Sequence, residues 1–291
     1  MSDLLKIEFT VPAEREDECV AFLSANVAHG WEEDRKEDRI TYRLYLEDHE
    51  AGNELVASIR EQWPESSCSQ EDRKAENWAL AWQDFFVPIQ CGDRFEILPP
   101  WRVDEHNEAL TPIIIEPKMA FGTGHHPTTA LCIETLAQLQ HDGLLAEGMS
   151  FLDLGTGSGI LSIALCKLGM TGIGVDIDPL TIPCAIENAE INGVSDRADF
   201  AVGGIECIEP GRRFDVVVAN ILSGPLIAMA GQILSHVRPG GCLVLSGILG
   251  EQGASVAAAY MEQGLPRPTI VPQGEWVAIY WTDVPEAGPR A

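Results

Sequence analysis

The stretch from Phe151 to Pro179, FLDLGTGSGILSIALCKLGMTGIGVDIDP, decides how this chain folds. Phe151 to Gly155 is apolar apart from Asp153, and glycines then recur on alternate positions at Gly155, Gly157 and Gly159. An apolar run closing on glycines reads as a strand that feeds a tight turn. From Ile160 to Leu168 the apolar residues fall at helical spacing, and Gly169 supplies a left-handed stop. Thr171 to Val175 returns as a second short strand and ends on Asp176. Such a β-turn-α-β unit has parallel strands and a right-handed crossover.

A ligand of this unit lies at the C-terminal end of the first strand, where backbone lacking Cβ atoms allows close approach. A carboxylate ending the second strand can accept hydrogen bonds from a ribose diol. A dinucleotide-binding turn requires G-x-G-x-x-G, with its third glycine deeper in the helix. That position is Ile160 here, and the pattern is G-x-G-x-G. Preceded by Asp153, the run DLGTGSG resembles the signature of S-adenosylmethionine-dependent methyltransferases. The resemblance implies that the glycines Gly155 and Gly157 lie under the methionine part of the cofactor and that Asp176 holds the ribose hydroxyls.

Composition narrows the partners. The 291 residues include 19 Lys and Arg against 45 Asp and Glu, a formal charge of −26. A surface this acidic repels phosphate backbones and anionic lipids, so no direct nucleic-acid contact and no membrane are expected, and it steers basic protein substrates inward. Plain solubility explains the acidity equally well. Cysteines fall at 19, 68, 91, 132, 166, 184, 207 and 242, without a C-x-x-C pair and several inside apolar runs. That spacing suits reduced thiols in a cytoplasm rather than a disulfide frame or a zinc site. The N-terminus lacks the pattern of a signal peptide, and no run approaches 18 uninterrupted apolar residues.

Ahead of the glycine turn, residues 4 to 11 alternate as a strand, and 14 to 26 carry Val20, Phe22 and Leu23 on one helical face with Val27 following. Residues 30 to 34 and 40 to 46 read as a strand pair, 53 to 63 as a helix and 66 to 71 as a polar strand. The order β-α-β-β-α-β is the ferredoxin-like plan, a common docking module. Charges crowd residues 71 to 76, and NWALAWQDFF at 77 to 86 repeats Trp78, Trp82 and Phe85 at helical spacing, as a connecting helix would. Strands are expected at 93 to 98 and 112 to 116.

Met119 to Ala130, MAFGTGHHPTTA, places Thr123 between two glycines, two histidines next, and Pro127 at the opening of a helix. Proline suits the first helical turn, and the free amides and hydroxyls there suit a carboxylate or hydroxyl of a ligand. Metal is disfavoured, because the adjacent His125 and His126 cannot easily face one ion and no carboxylate stands at ligand spacing.

Taken together, AFGTGHHPTT, DLGTGSGIL, GVDIDP with ENAEINGV, and DVVVANILSGPL closely resemble the PrmA family, methyltransferases of the large-subunit ribosomal protein called L eleven. The likeness covers residues 75 to 282. It implies a cofactor site formed by Thr129, Gly155, Gly157, Asp176 and Asn220 together with Phe121 and Thr123, and a substrate domain ahead of the catalytic one. The N-terminal module is shorter and more acidic than the family pattern. Beyond the turn, a helix at 182 to 191, strands at 198 to 202 and 214 to 219, a helix at 226 to 237, a turn at 239 to 241, a strand at 242 to 246, a helix at 252 to 263 and a hairpin at 269 to 281 complete a doubly wound sheet.

The expected architecture is a ferredoxin-like substrate-recognition domain at 1–71, a linker helix at 72–90, a seven-stranded Rossmann-like α/β methyltransferase domain at 91–284 and a tail at 285–291. The expected activity is transfer of methyl groups from S-adenosyl-L-methionine to lysine side chains, and to an N-terminal α-amine, of a basic ribosomal protein. Asn220 is the candidate for orienting the amine. It stands where many amine methyltransferases carry Asn-Pro-Pro-Tyr, but here Ile221, Leu222 and Ser223 follow, so a cofactor contact or a simple turn cap stays open. No general base stands out. An RNA or small-molecule methyltransferase and a non-catalytic cofactor-binding module are the competing readings.

Overall fold

The computed structural model describes residues 4–27, 31–36, 38–46, 49–64, 66–73, 86–117 and 126–286. The chain divides into two compact units, Met1–Phe85 and Phe86–Ala291. Of the expected linker helix at 72–90, residues 74–85 lie outside the described residues, while 72–73 end one strand and 89–90 begin another.

In the first unit the elements run β1 (Leu4–Pro12), α1 (Glu16–Asn26), β2 (Glu32–Lys36), β3 (Arg39–Leu46), α2 (His49–Gln62) and β4 (Ser67–Arg73), and the antiparallel sheet has the order β2-β3-β1-β4. This is the ferredoxin-like plan. Alternation fixes its faces: Leu5, Ile7, Phe9 and Val11 of β1 are buried with Ile40, Tyr42 and Leu44 of β3 and with Leu55, Val56, Ile59 and Trp63. Among the described side chains of α1, Cys19 and Leu23 are fully buried and Val20 and Phe22, with Val27 just beyond, pack beside them, so the face expected from sequence is the one buried, with Cys19 added to it. On the opposite sheet face Arg43 of β3 bridges Glu8 of β1 at 2.8 Å and Asp34 of β2 at 3.3 Å.

The second unit opens with a small sheet of β5 (Ile89–Cys91), β6 (Phe95–Leu98) and β7 (Thr111–Ile114), with a 3-10 helix at Pro100–Glu105 where the PPW segment falls. Its main sheet contains β8 (Ser150–Leu154), β9 (Thr171–Asp176), β10 (Ala198–Val202), β11 (Phe214–Asn220), β12 (Val237–Leu249), β13 (Thr269–Gln273) and β14 (Trp276–Trp281), in the order β10-β9-β8-β11-β12-β14-β13. The first five strands are parallel, and β14 is antiparallel to both neighbours. This is the seven-stranded Rossmann-like sheet expected of the chain.

The helices are α3 (Pro127–His141), α4 (Ile160–Lys167), α5 (Thr181–Ile191), α6 (Ser223–Ala228), α7 (Ala230–Ser235) and α8 (Gly250–Met261). They cover both faces, and β11 is buried from Val216 to Ala219, as a central parallel strand requires.

Two local expectations are corrected. The single helix at 226 to 237 is instead α6 and α7, broken at Met229, and Val237 already belongs to β12. The chain turns extended there because the Phe214 N–H donates to the His236 carbonyl and the buried His236 ring bonds the Arg212 carbonyl. The turn at 239 to 241 lies inside β12: Phe214 pairs with Val237 but Val216 with Cys242, so Pro239-Gly240-Gly241 is extruded as a bulge. Among the described residues no helix is long and apolar enough to cross a membrane.

Candidate functional site

Strand order reverses between β8 and β11, since the chain winds outward from β8 through β9 to β10 and then crosses to β11 and β12. In an open α/β sheet the crevice beyond the C-terminal strand ends at that reversal is the ligand site. Register lines up the rim: Leu154 pairs with both Val175 and Ala219, so Gly155, Asp176 and Asn220 each stand one residue further, side by side.

Gly155 has φ +78, a region costly for residues with a Cβ, and an added Cβ would lie 2.3 Å from the Ile221 Cγ2 methyl. The β8 turn and the β11 turn therefore meet over the crevice with no room for a side chain. Asp176 is pinned by its neighbours: the Gly157 N–H donates to Oδ2 at 2.8 Å and the Asp178 N–H to Oδ1 at 3.0 Å. Each carboxylate oxygen has two lone pairs, so one acceptor site per oxygen is left for a ligand hydroxyl.

Asn220 at the end of β11 reaches α3, where its Nδ2 donates to Thr129 Oγ1 at 3.4 Å. Its Oδ1 is buried without a hydrogen-bond partner. A buried acceptor left open is costly unless something fills it, so this oxygen fits a ligand donor. Thr129 is fully buried on the first turn of α3. Ahead of it His126 caps the helix, with Nδ1 2.8 Å from Thr128 Oγ1, and its ring packs edge-on against Trp276 at 4.8 Å between centroids. The structure thus brings Thr129, Gly155, Gly157, Asp176 and Asn220 to one crevice. Phe121 and Thr123 lie outside the described residues.

Sequence reading missed the support beneath this rim. Asp153 is completely buried, and its Oδ2 accepts from Thr156 Oγ1 (2.7 Å), Ser162 Oγ (2.7 Å) and the Ser162 N–H (3.1 Å). It therefore ties the glycine turn to the start of α4. Burial pushes its carboxyl up to about 6, against the lowering effect of those bonds. The signal was present as an acid three residues before Thr156 and nine before Ser162. Apolar residues fringe the opening: Ile177, Leu180 and Leu222 expose 78 %, 82 % and 73 % of their surface, directly after the Asp176 and Asn220 strand ends. Such a fringe suits a flat, partly apolar ligand or a partner surface.

Elsewhere burial disfavours the thiolate at several cysteines. Cys91, Cys132 and Cys166 are each pushed up to about 12 by burial, and Cys207 is the exposed one of the eight. Among the described residues no cluster of three or more His, Cys, Asp or Glu side chains could hold a metal ion.

Comparison with known proteins agrees with this geometry. The family model described as ribosomal protein L11 methyltransferase (PrmA) matches residues 11–283. A ribosomal protein L11 methyltransferase of Pseudomonas putida is 45% identical over 205 residues, 70% of this chain and 67% of that one. One from Alteromonas mediterranea is 40% identical over 217 residues, 74% of this chain and 71% of that one. Among solved structures, a ribosomal protein L11 methylase from Lactobacillus delbrueckii subsp. bulgaricus superposes with a TM-score of 0.59 at 29% identity, covering 67% of this chain and 97% of that one.

Proposed function

Because this chain belongs to the family of ribosomal protein L11 methyltransferases, we propose that it transfers methyl groups from S-adenosyl-L-methionine to lysine amines of ribosomal protein L11 at the β8–β11 crevice. The observation that carries the reading is the row formed by the Cβ-free turn at Gly155, the pinned carboxylate of Asp176 and the open buried oxygen of Asn220. Bound there, S-adenosyl-L-methionine supplies a methyl carbon on a sulfonium, and the sulfur leaves as a neutral thioether with the bonding electron pair.

The chain's own residues then have positioning to do. Asp176 takes the ribose hydroxyls on its two remaining acceptor sites. Gly155 and Gly157 leave backbone space for the amino-acid end. Thr129 holds the Asn220 carboxamide through its Nδ2, and the unpartnered Oδ1 is the acceptor proposed for an amine N–H. A lysine amine of ordinary pKa about 10.4 must lose a proton before attack, and entry past the apolar residues Ile177, Leu180 and Leu222 lowers that pKa by desolvation. Holding nitrogen and methyl carbon in line about 3 to 3.5 Å apart accounts for much of the rate gain. Phe121 and Thr123 are proposed as further cofactor contacts, and the ferredoxin-like unit as the recognition module for a basic substrate, drawn in by the −26 charge.

The test is incubation with purified ribosomal protein L11, ribosomal RNA and methyl-labelled cofactor. Label resistant to ribonuclease and recovered as methyl-lysine is the expected result. Label lost with ribonuclease, or absent from the protein, overturns the reading.

A further inference from the structure

The motif ENAEINGV, residues 187 to 194, carries two asparagines four residues apart, Asn188 on α5 and Asn192 at its C-terminal cap, that the proposed chemistry does not use. Both are buried, Asn188 completely. Asn192 grips the backbone of Ile114 twice: its Oδ1 accepts the Ile114 N–H at 2.9 Å and its Nδ2 donates to the Ile114 carbonyl at 2.6 Å. Asn188 accepts the Glu116 N–H on Oδ1 at 3.0 Å. Four residues of helix rise about 6.0 Å and two residues of strand about 6.6 Å, so side chains at i and i+4 meet alternate peptides of an extended chain. The helix face thus acts as a further strand beside β7 and its extension.

Asn188 does one thing more. Its Nδ2 donates to the Ser158 carbonyl at 2.9 Å, in the middle of the glycine turn. That carbonyl belongs to the peptide joining Ser158 to Gly159, which has φ +82. Here too α5 crowds the turn, because a Cβ on Gly159 would fall 3.2 Å from the Ala185 Cα. The N–H of the same peptide, on Gly159, donates to the Thr156 carbonyl at 2.8 Å, so Asn188 holds one end of the plane and Thr156 the other, between glycines that leave it few steric restraints of its own. Losing the Asn188 end of this hold would loosen the turn from which the Gly157 N–H reaches Asp176.

We propose that Asn188 is a positioning residue for the cofactor site: anchored on Glu116 by its oxygen, it fixes the Ser158–Gly159 peptide with its nitrogen and so sets the turn and the Asp176 carboxylate in their binding geometry. Asn192, one turn along, holds only the strand. This rests on the crevice being the S-adenosyl-L-methionine site.

The experiment compares Asn188→Ala, Asn188→Asp and Asn192→Ala in the full chain. N188D keeps an acceptor for the Glu116 N–H and loses the donor to Ser158. Both Asn188 variants are expected to bind S-adenosylhomocysteine about tenfold more weakly by calorimetry, the KM for S-adenosyl-L-methionine rising in step while kcat stays within about threefold. N192A is expected to lower the melting temperature but to leave cofactor affinity within about twofold. Equal loss of affinity in all three, or wild-type affinity in N188A, overturns the proposal. Hydrogen exchange without cofactor reads the same device independently: the Gly157 and Gly159 amides should exchange about tenfold faster in N188A than in N192A, and equal rates reject it. If wild-type protein binds no S-adenosylhomocysteine, the functional reading falls, and the exchange result alone decides the role of Asn188.

Discussion

The two ends of the main sheet treat an aspartate in opposite ways. At the C-terminal end Asp176 accepts one backbone N–H on each oxygen and meets no cation within bonding distance among the described residues. At the N-terminal end Asp215 accepts both the N–H (2.8 Å) and the hydroxyl (2.7 Å) of Ser150 on one oxygen and pairs with Arg238 through the other. Burial alone would raise the Asp215 carboxyl, but the Ser150 bonds and Arg238 outweigh it and hold the group below its usual range. One carboxylate is used up in joining β8, β11 and β12. The other is oriented yet keeps acceptor capacity, and only the second kind can serve a ligand.

Replacing the two aspartates should separate the ends, with the largest effect at the rim. Asp176→Ala would remove the two charge-assisted bonds proposed to the ribose diol, so cofactor affinity should fall about a thousandfold, ~4 kcal/mol, with the fold retained. Titration calorimetry with S-adenosylhomocysteine measures this, and an unchanged affinity would break the contrast.

Next comes Asp153, an acid that belongs to neither pattern because it is buried against hydroxyls. Its folded-state pKa of about 6 lies above the ordinary 3.8, so the stability it contributes is fully present below about pH 3.8 and is lost as pH rises through 6. Asp153→Asn keeps an acceptor for Thr156 and Ser162 and removes this dependence. Between pH 4 and pH 7 the variant should gain on the wild type by on the order of 3 kcal/mol in urea unfolding. A constant difference across that range would contradict the burial of a charge there.

Smallest is Asp215→Ala, expected to cost about 2 kcal/mol of stability, because the Ser150 groups lose their acceptor while the exposed Arg238 partner adds little. Methylation should continue at the wild-type rate. Its pKa is lowered, so its contribution is present above about pH 3.8 and fades as the pH falls below that value. A drop in activity without loss of stability would show that the lower end also serves the reaction.

Much of this was legible locally. The glycine turn, its two strands, Asp176 and the capped start of α3 all announce themselves within windows of fewer than thirty residues, because φ sign, apolar period and cap chemistry are properties of neighbouring residues. Where the same local signal serves two structures the reading failed: Pro239-Gly240-Gly241 marks a turn and a strand bulge alike, and only pairing with Phe214 and Val216 chooses the bulge. The end of the second helix before Val237 was hidden for a similar reason, since the strand beginning there answers to Phe214 and not to its own helix.

By itself, then, the sequence determined that a parallel α/β unit exists, where its turn lies and which acid ends its second strand. Tertiary structure decided what those residues are held by. Asn188 and Asn192 reach strand residues 72 and 78 positions away, Asn220 meets Thr129 across 91, and Ile221 closes over Gly155. An asparagine's donors and acceptors fit any peptide it meets, so its identity alone does not name its partner. Only the packing of α5, β7 and the two crevice strands brings the right peptide within 3 Å.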